Sequence, residues 1–442
     1  MIVKVIGGGL AGCEAAWQLA NQGIQVKLYE MRPVKMTPAH NTDMLSELVC
    51  SNSLKAERLD NASGLLKEEM RRLNSLIIEA ADRHKVPAGG ALAVDRKGFS
   101  SYITDKIQEH PNIQLIREEV TEIETGTEDS VVIATGPLSS PAVSDSIARI
   151  VNQDHLYFFD AASPIVTYDS LDLSKVYRAS RYGKGKGDYI NCPMTKEEYM
   201  AFHQELVHAE EAPVKDFEDS KIYEGCIPIE LMARRGEDTM RFGPLKPVGL
   251  IDPKTGREAY AVVQLRQDDA EGTLFNLVGF QTHLKFGEQK RIFSMIPGLE
   301  TAEFIRYGVM HRNTYINSPE LLDIYYCLRN KPNIFFAGQI TGVEGYVESA
   351  SSGLLAACSL ARILKGKKPV DFTRKTIIGA LAYYVSQTPS KDFQPMNSNF
   401  GIITPLERSI RNRKERNTAL ARRSLSTLDS LIEIMDPGDF VE

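Results

Sequence analysis

Ile2-Val3-Lys4-Val5-Ile6-Gly7-Gly8-Gly9-Leu10-Ala11-Gly12 compresses a strand, a glycine turn and the start of a helix into the first residues of the chain. Ile2 to Ile6 reads as a buried strand, Leu10 to Asn21 as a helix, and Gln25 to Tyr29 as a second strand. Gly7, Gly9 and Gly12 satisfy G-x-G-x-x-G, which means little alone but much between a strand and a helix. Gly7 suits the tight turn, Gly9 lets backbone approach a pyrophosphate, and Gly12 lets helix and strand touch. Gly8, Leu10 and Ala11 complete the turn, and the helix start offers free N–H groups to phosphate. Glu30 ends the second strand where a ribose acceptor belongs. A carboxylate there disfavours a 2′-phosphate, so this is not an NADPH site.

Downstream of this unit, Met31 to Ala62 reads as loop and Gly64 to His84 as one long amphipathic helix, with Leu65, Leu66, Met70, Leu73, Leu76 and Ile77 at helical spacing. Ile113 to Ile116 and Ser130 to Ala134 read as short strands. Between about Pro164 and Pro319 turns multiply, short β-like runs appear (Ala261 to Leu265, Thr273 to Val278), and Thr195-Lys-Glu-Glu198 is a capping box opening a helix. A buried-strand pattern returns at Asn333 to Ala337, with a helix expected over Ser351 to Leu364 and a mostly helical tail over Glu407 to Met435. The expectation is an α/β fold: a Rossmann-type dinucleotide-binding domain built from both chain ends (1–163 and 320–442), with an inserted mixed α/β domain at 164–319.

Six cysteines are scattered without C-x-x-C spacing, which removes the common zinc and dithiol motifs and predicts no metal. Cys13, Cys192, Cys327 and Cys358 read as core residues. No basic segment followed by a long apolar run opens the chain, and Gly353 to Leu364 is short for a membrane span. A cytoplasmic protein with no membrane contact and no obligate protein partner is expected.

Two later segments point to FAD. Val131-Val-Ile-Ala-Thr-Gly136 resembles the strand and turn of two-dinucleotide-type flavoproteins, and Phe335-Phe-Ala-Gly-Gln339 with Gly342, Gly345 and Gly353 resembles their C-terminal flavin segment. Gly136, Gly338, Gln339 and Gly345 therefore join the expected cofactor site. No second G-x-G-x-x-G follows a strand, so a nicotinamide donor has no Rossmann unit of its own.

Gly338-Gln-Ile-Thr-Gly-Val-Glu-Gly-Tyr-Val-Glu-Ser349 resembles the GidA-like tRNA-modifying flavoproteins. Cys50-Ser-Asn-Ser-Leu54, Gly225-Cys-Ile-Pro-Ile229 and Gly279-Phe-Gln-Thr-His283 resemble their shorter branch, the folate- and FAD-dependent tRNA (uracil-5-)-methyltransferases, essentially from Ile2 to the C-terminal helix. The resemblance implies methylenetetrahydrofolate as carbon donor, FAD reduced by NADPH or NADH, and 5-methyluridine at position 54 of the tRNA T-loop as product. It suggests Cys226 as nucleophile at carbon 6 of uracil, Cys50 as base or second thiol, and His283 and Tyr346 as folate contacts. A thiolate suits the nucleophile because a small fraction exists even at neutral pH.

Arg408, Arg411, Arg413, Lys414 and Arg416 are the expected tRNA contacts. From Glu407 to Arg423 seven basic side chains face two acidic ones, a local excess of five positive charges on a chain of net charge −6. Arg181, Lys184 and Lys186, and Arg234, Arg235 and Arg241, are further cations. A plain NAD(P)H-dependent flavin oxidoreductase, a flavin-bearing RNA-binding module and a larger GidA-type wobble-uridine enzyme are the alternatives.

Overall fold

Val3 and Val5 are fully buried at the centre of a six-stranded sheet, with Ile2–Ile6 parallel to Gln25–Glu30 on one side and Ser130–Ile133 on the other. The structure, a computed structural model, describes residues 2–124, 129–153, 156–183, 187–213, 222 and 227–435. The sheet order is Cys327–Leu328, Lys331–Phe336, Ser130–Ile133, Ile2–Ile6, Gln25–Glu30, Ile113–Arg117, parallel except at the first pair. Ser130–Ile133 is buried along its whole length, whereas the neighbouring Ile2–Ile6 and Gln25–Glu30 carry half-buried Lys4 and Lys27. The Leu10–Asn21 and Tyr346–Leu364 helices pack together on one face, so closely that a Cβ on Gly353 would lie 2.2 Å from the Ala11 carbonyl oxygen.

A second sheet is antiparallel, in the order Tyr177–Ala179, Tyr189–Met194, Ala261–Gln267, Leu274–Leu277, Ile165–Thr167, Phe304–Arg306. It has its own core, to which the Lys196–Val207 helix contributes Tyr199, Phe202 and Leu206. That helix starts on the expected capping box: Thr195 accepts from Glu198 N–H while Glu198 accepts from Thr195 N–H. Leu156–Ala161 and Met310–Tyr315 pair antiparallel where the chain leaves and re-enters the first sheet. The fold is thus α/β, a dinucleotide-type parallel sheet made from both chain ends and carrying a mixed insertion.

Three local expectations need correction. Gly64 to His84 is not one helix but two, Ala62–Arg72 and Leu76–Arg83. Asn74 breaks the run with φ 52°, and Ser75 caps the second helix through Ile78 N–H. Buried Glu14 then takes Ser75 Oγ at 2.7 Å and Ile77 N–H at 3.1 Å, fastening that break to the first helix. Second, the loop over Met31 to Ala62 contains a strand, Ser53–Ala56, paired with Ala91–Val94. Third, the helix expected from Ser351 begins at Tyr346, with Gly345 at φ 116° as its N-cap. Its 19 residues are long and apolar enough to cross a membrane, but 83% of the apolar window is buried inside the fold. The tail is mostly helical as expected, over Arg413–Ile434, with Arg408 and Arg411 in the coil ahead of the Asn412 cap.

Candidate active site

The glycine turn opens onto a cleft between both chain ends, a concave site of the kind ligands occupy. Gly7, Gly8, Gly9, Leu10, Ala11, Glu30, Gly136, Gly338, Gln339 and Tyr346 line it together, whereas Gly12, Gly345 and His283 do not. A Cβ on Gly9 would meet nothing within 4 Å, so the backbone there faces open space. A Cβ on Gly12 would sit 1.8 Å from the Gly7 carbonyl oxygen, the close helix-to-turn approach the motif demands. These features fit an FAD pyrophosphate.

Glu30 is more engaged than its sequence position suggests. Its carboxylate takes Gly8 N–H at 2.9 Å, Arg32 N–H at 3.0 Å and Arg32 Nε at 2.9 Å. Burial works against its ionisation. The adjacent Arg32 charge and these hydrogen bonds outweigh it and hold the carboxyl below the usual range. Arg32, itself buried, reaches on to Glu47 at 3.1 Å. The sequence offered no signal for Arg32 or Glu47, since neither sits in a motif.

Cys50 lies half-buried beside the cleft. Its Sγ is 3.0 Å from Tyr346 Oη, and that oxygen also accepts N–H from Cys50 at 2.8 Å and Ser51 at 3.3 Å. Burial first, and then the neighbouring thiol, push the Tyr346 hydroxyl well above its ordinary pKa, so it stays a neutral phenol. Three guanidinium groups converge on this loop from other elements. Arg96 donates to Leu48 O and pairs with Asp268 at 2.8 Å; Arg306 donates to Val49 O; Arg266 donates to Ser51 Oγ at 2.8 Å and Asn52 Oδ1 at 3.0 Å. Their field favours negative charge developing at the loop. Isolated arginines carry no sequence signal, and these three were missed. The other described thiols are buried: burial pushes Cys13 and Cys327 up to about 12, and Cys192 higher still. Cys226, with Lys184 and Lys186, lies outside the described residues.

His283 is buried, with Nε2 2.6 Å from Glu211 and Nδ1 2.6 Å from Glu230. Glu230 also takes His283 N–H at 2.9 Å and Thr282 Oγ1 at 2.8 Å, and Glu211 pairs with Arg234. Through Ile229 N–H to Gln281 O at 2.7 Å, the Gly279–His283 segment is tied to the Ile229–Arg234 helix that follows Cys226-Ile-Pro. Burial disfavours charge on the ring, but hydrogen bonds to Glu211 and Glu230 override it and raise its pKa to about 9. A folded-state pKa above the ordinary 6.5 stabilises the protein fully below pH 6.5 and less as pH climbs through about 9. Wild type should therefore lose melting temperature across that window, and His283→Gln should lose less. Equal slopes in a pH series of thermal melts would sink this assignment.

Arg408, Arg411, Arg413, Lys414 and Arg416 are all exposed, and none has an ion-pair partner among the described residues. Of the further cations, Arg181 donates to Gln264 Oε1 at 3.1 Å and to Val248 O at 3.0 Å, and Arg241 pairs with Asp238 at 2.5 Å.

Comparison with known proteins agrees with this architecture. The family model for glucose inhibited division protein A matches residues 2–368. The chain is 59% identical over 429 residues to a protein of Bacillus licheniformis named methylenetetrahydrofolate–tRNA-(uracil-5-)-methyltransferase TrmFO, covering 97% of this chain and 98% of the relative. The same name belongs to a Listeria monocytogenes protein 59% identical over 431 residues, covering 98% and 99%. Among solved structures, Aquifex aeolicus GidA superposes with a TM-score of 0.68 at 18% identity, over 98% of this chain and 75% of that one, a likeness of fold. The chain belongs to the glucose inhibited division protein A family, among the relatives that carry the TrmFO name.

Proposed function

We propose that this protein is a cytoplasmic enzyme that methylates carbon 5 of uridine 54 in the tRNA T-loop. Methylenetetrahydrofolate supplies the carbon, and FAD, re-reduced by NADPH or NADH, supplies the electrons. The observation that carries the reading is the thiol of Cys50, 3.0 Å from Tyr346 Oη at the edge of the dinucleotide cleft. Near-full-length identity to proteins of that name supports it.

The chain's residues take complementary parts. Gly7 to Gly12 and the start of the Leu10–Asn21 helix receive the pyrophosphate. Glu30, already fixed by Arg32, uses its remaining acceptor capacity on ribose. Gly136, Gly338 and Gln339 shape the flavin end, Gly345 caps the helix that presents Tyr346, and Tyr346 contacts folate, while His283, buried between Glu211 and Glu230, braces its own segment from behind. The Cys226 thiolate adds to carbon 6 of uracil, which makes carbon 5 nucleophilic. Cys50, under the field of Arg96, Arg266 and Arg306, takes the carbon 5 proton that must leave before the adduct resolves. The target base leaves its stack to reach either thiol. The two cores support domain boundaries near 164 and 319. No obligate protein partner is needed for these steps.

The test is a purified, yellow protein given unmodified tRNA. 5-Methyluridine should form only when methylenetetrahydrofolate and reduced nicotinamide are both present. Flavin reduction without any tRNA methylation would favour the plain oxidoreductase.

A further inference from the structure

We propose that the groove between the N-terminus of the Ala62–Arg72 helix, the 398–410 segment and the Arg413–Ile434 helix is the seat of one stretch of the substrate's ribose-phosphate backbone. The inference rests on the tRNA reading above and gives it a place. The groove holds about 1000 Å³. Three of the tail's cations, Arg408, Arg413 and Arg416, line it, while Arg411 and Lys414 do not. All three are exposed and have no ion-pair partner among the described residues. Of the two acids in the lining, Asp60 is taken up by Arg58. The opposite wall includes Ala62 and Ser63, the first turn of a helix whose N-cap Asn61 makes no side-chain capping bond. A helix start of this kind adds to the attraction for phosphate.

A second observation separates RNA from a simple anion. Asn417 lines the groove floor and is 8% exposed. Its Nδ2 donates to Asp60 O at 3.0 Å, which orients the carboxamide, and its Oδ1 has no hydrogen-bond partner. A buried acceptor without a donor is a cost that a ligand removes. Phosphate brings no donor, but the 2′-hydroxyl of ribose does. Cations above and an orphan acceptor below match a ribonucleotide. The groove wall is tied to the helix that carries Tyr346. Ser398 in its lining donates to buried Glu348 through N–H at 3.0 Å and Oγ at 2.7 Å, and Glu348 stands two residues after Tyr346.

The experiment measures affinity for an unmodified tRNA transcript at several salt concentrations, with flavin content as the check on folding. Arg413→Glu with Arg416→Glu should raise Kd roughly tenfold or more and flatten the salt dependence by about one to two in log–log slope. Arg422→Glu reverses one charge two and a half turns along the same helix, on the face opposite Arg413 and outside the groove, and should leave Kd within about twofold. Asn417→Ala should narrow the preference for a T-arm RNA hairpin over its all-deoxy counterpart. Wild type that methylates tRNA while the double variant binds it with unchanged affinity and slope overturns the groove and leaves the methyltransferase reading standing. Equal damage from Arg422→Glu also overturns it, because diffuse charge then explains the binding. Wild type that neither binds nor methylates tRNA overturns both.

Discussion

Cys226→Ala is expected to keep its fold, its flavin and its tRNA affinity while losing methyl transfer by at least on the order of a thousandfold, because a covalent step disappears with the thiol. The wild type should form a stable covalent complex with tRNA carrying 5-fluorouridine, since fluorine at carbon 5 blocks the elimination that frees the enzyme. Cys226→Ala should form none. Cys50→Ala should lose turnover but keep the complex, because Cys50 acts after the adduct has formed. The geometry makes this contrast worth measuring. Cys50 is held against Tyr346 in a loop that Arg96 and Arg306 grip by its backbone carbonyls and Arg266 by the Ser51 and Asn52 side chains, a setting for a fixed group, not one that must travel to a substrate. A complex that survives in Cys226→Ala and vanishes in Cys50→Ala reverses the two roles. Full activity in Cys226→Ala ends the thiolate mechanism as placed.

The second large effect separates two glycines of one motif. Gly9→Val should fold normally and purify colourless. Its φ is −80°, any residue adopts that backbone, and the added side chain projects into the empty part of the cleft where a pyrophosphate would lie. Gly12→Val should fail differently. Its Cβ would collide with the Gly7 carbonyl oxygen, so the loss appears as a lowered melting temperature and poor yield before any flavin is measured. A Gly9→Val protein with full flavin absorbance would show that the cofactor lies elsewhere.

Much of this was legible in the sequence because it is local. The first strand, the first helix and the capping box at Thr195 are written in consecutive residues, and the structure has them where the pattern predicts. The break at Asn74-Ser75 was also written locally, in a left-handed-tolerant residue followed by a capping one. Continuous apolar periodicity across it hid the break. What local pattern does not encode is convergence. Arg96, Arg266 and Arg306 come from three separate segments and meet only at the Cys50 loop. The division of the basic tail into groove-facing and outward cations likewise depends on where the helix starts, and Asn412 sets that start.

The parallel pairing of Ser130–Ile133 with Lys331–Phe336 has a consequence for synthesis on the ribosome. Chains emerge N-terminus first, so the first sheet waits with an open edge while about two hundred residues are added. In that interval the antiparallel sheet, whose last strand ends at Arg306, can complete its own core. An exposed strand edge during a long wait is a hazard for mispairing, which gives early closure of the second core a protective value. Gly338, Gln339 and Tyr346 arrive last, so the nascent chain gains its flavin pocket in the final third of translation. Released truncated chains ending near Leu321 should show a protease-resistant second core and no retained FAD. FAD held by such chains would mean that the pocket forms without its C-terminal wall.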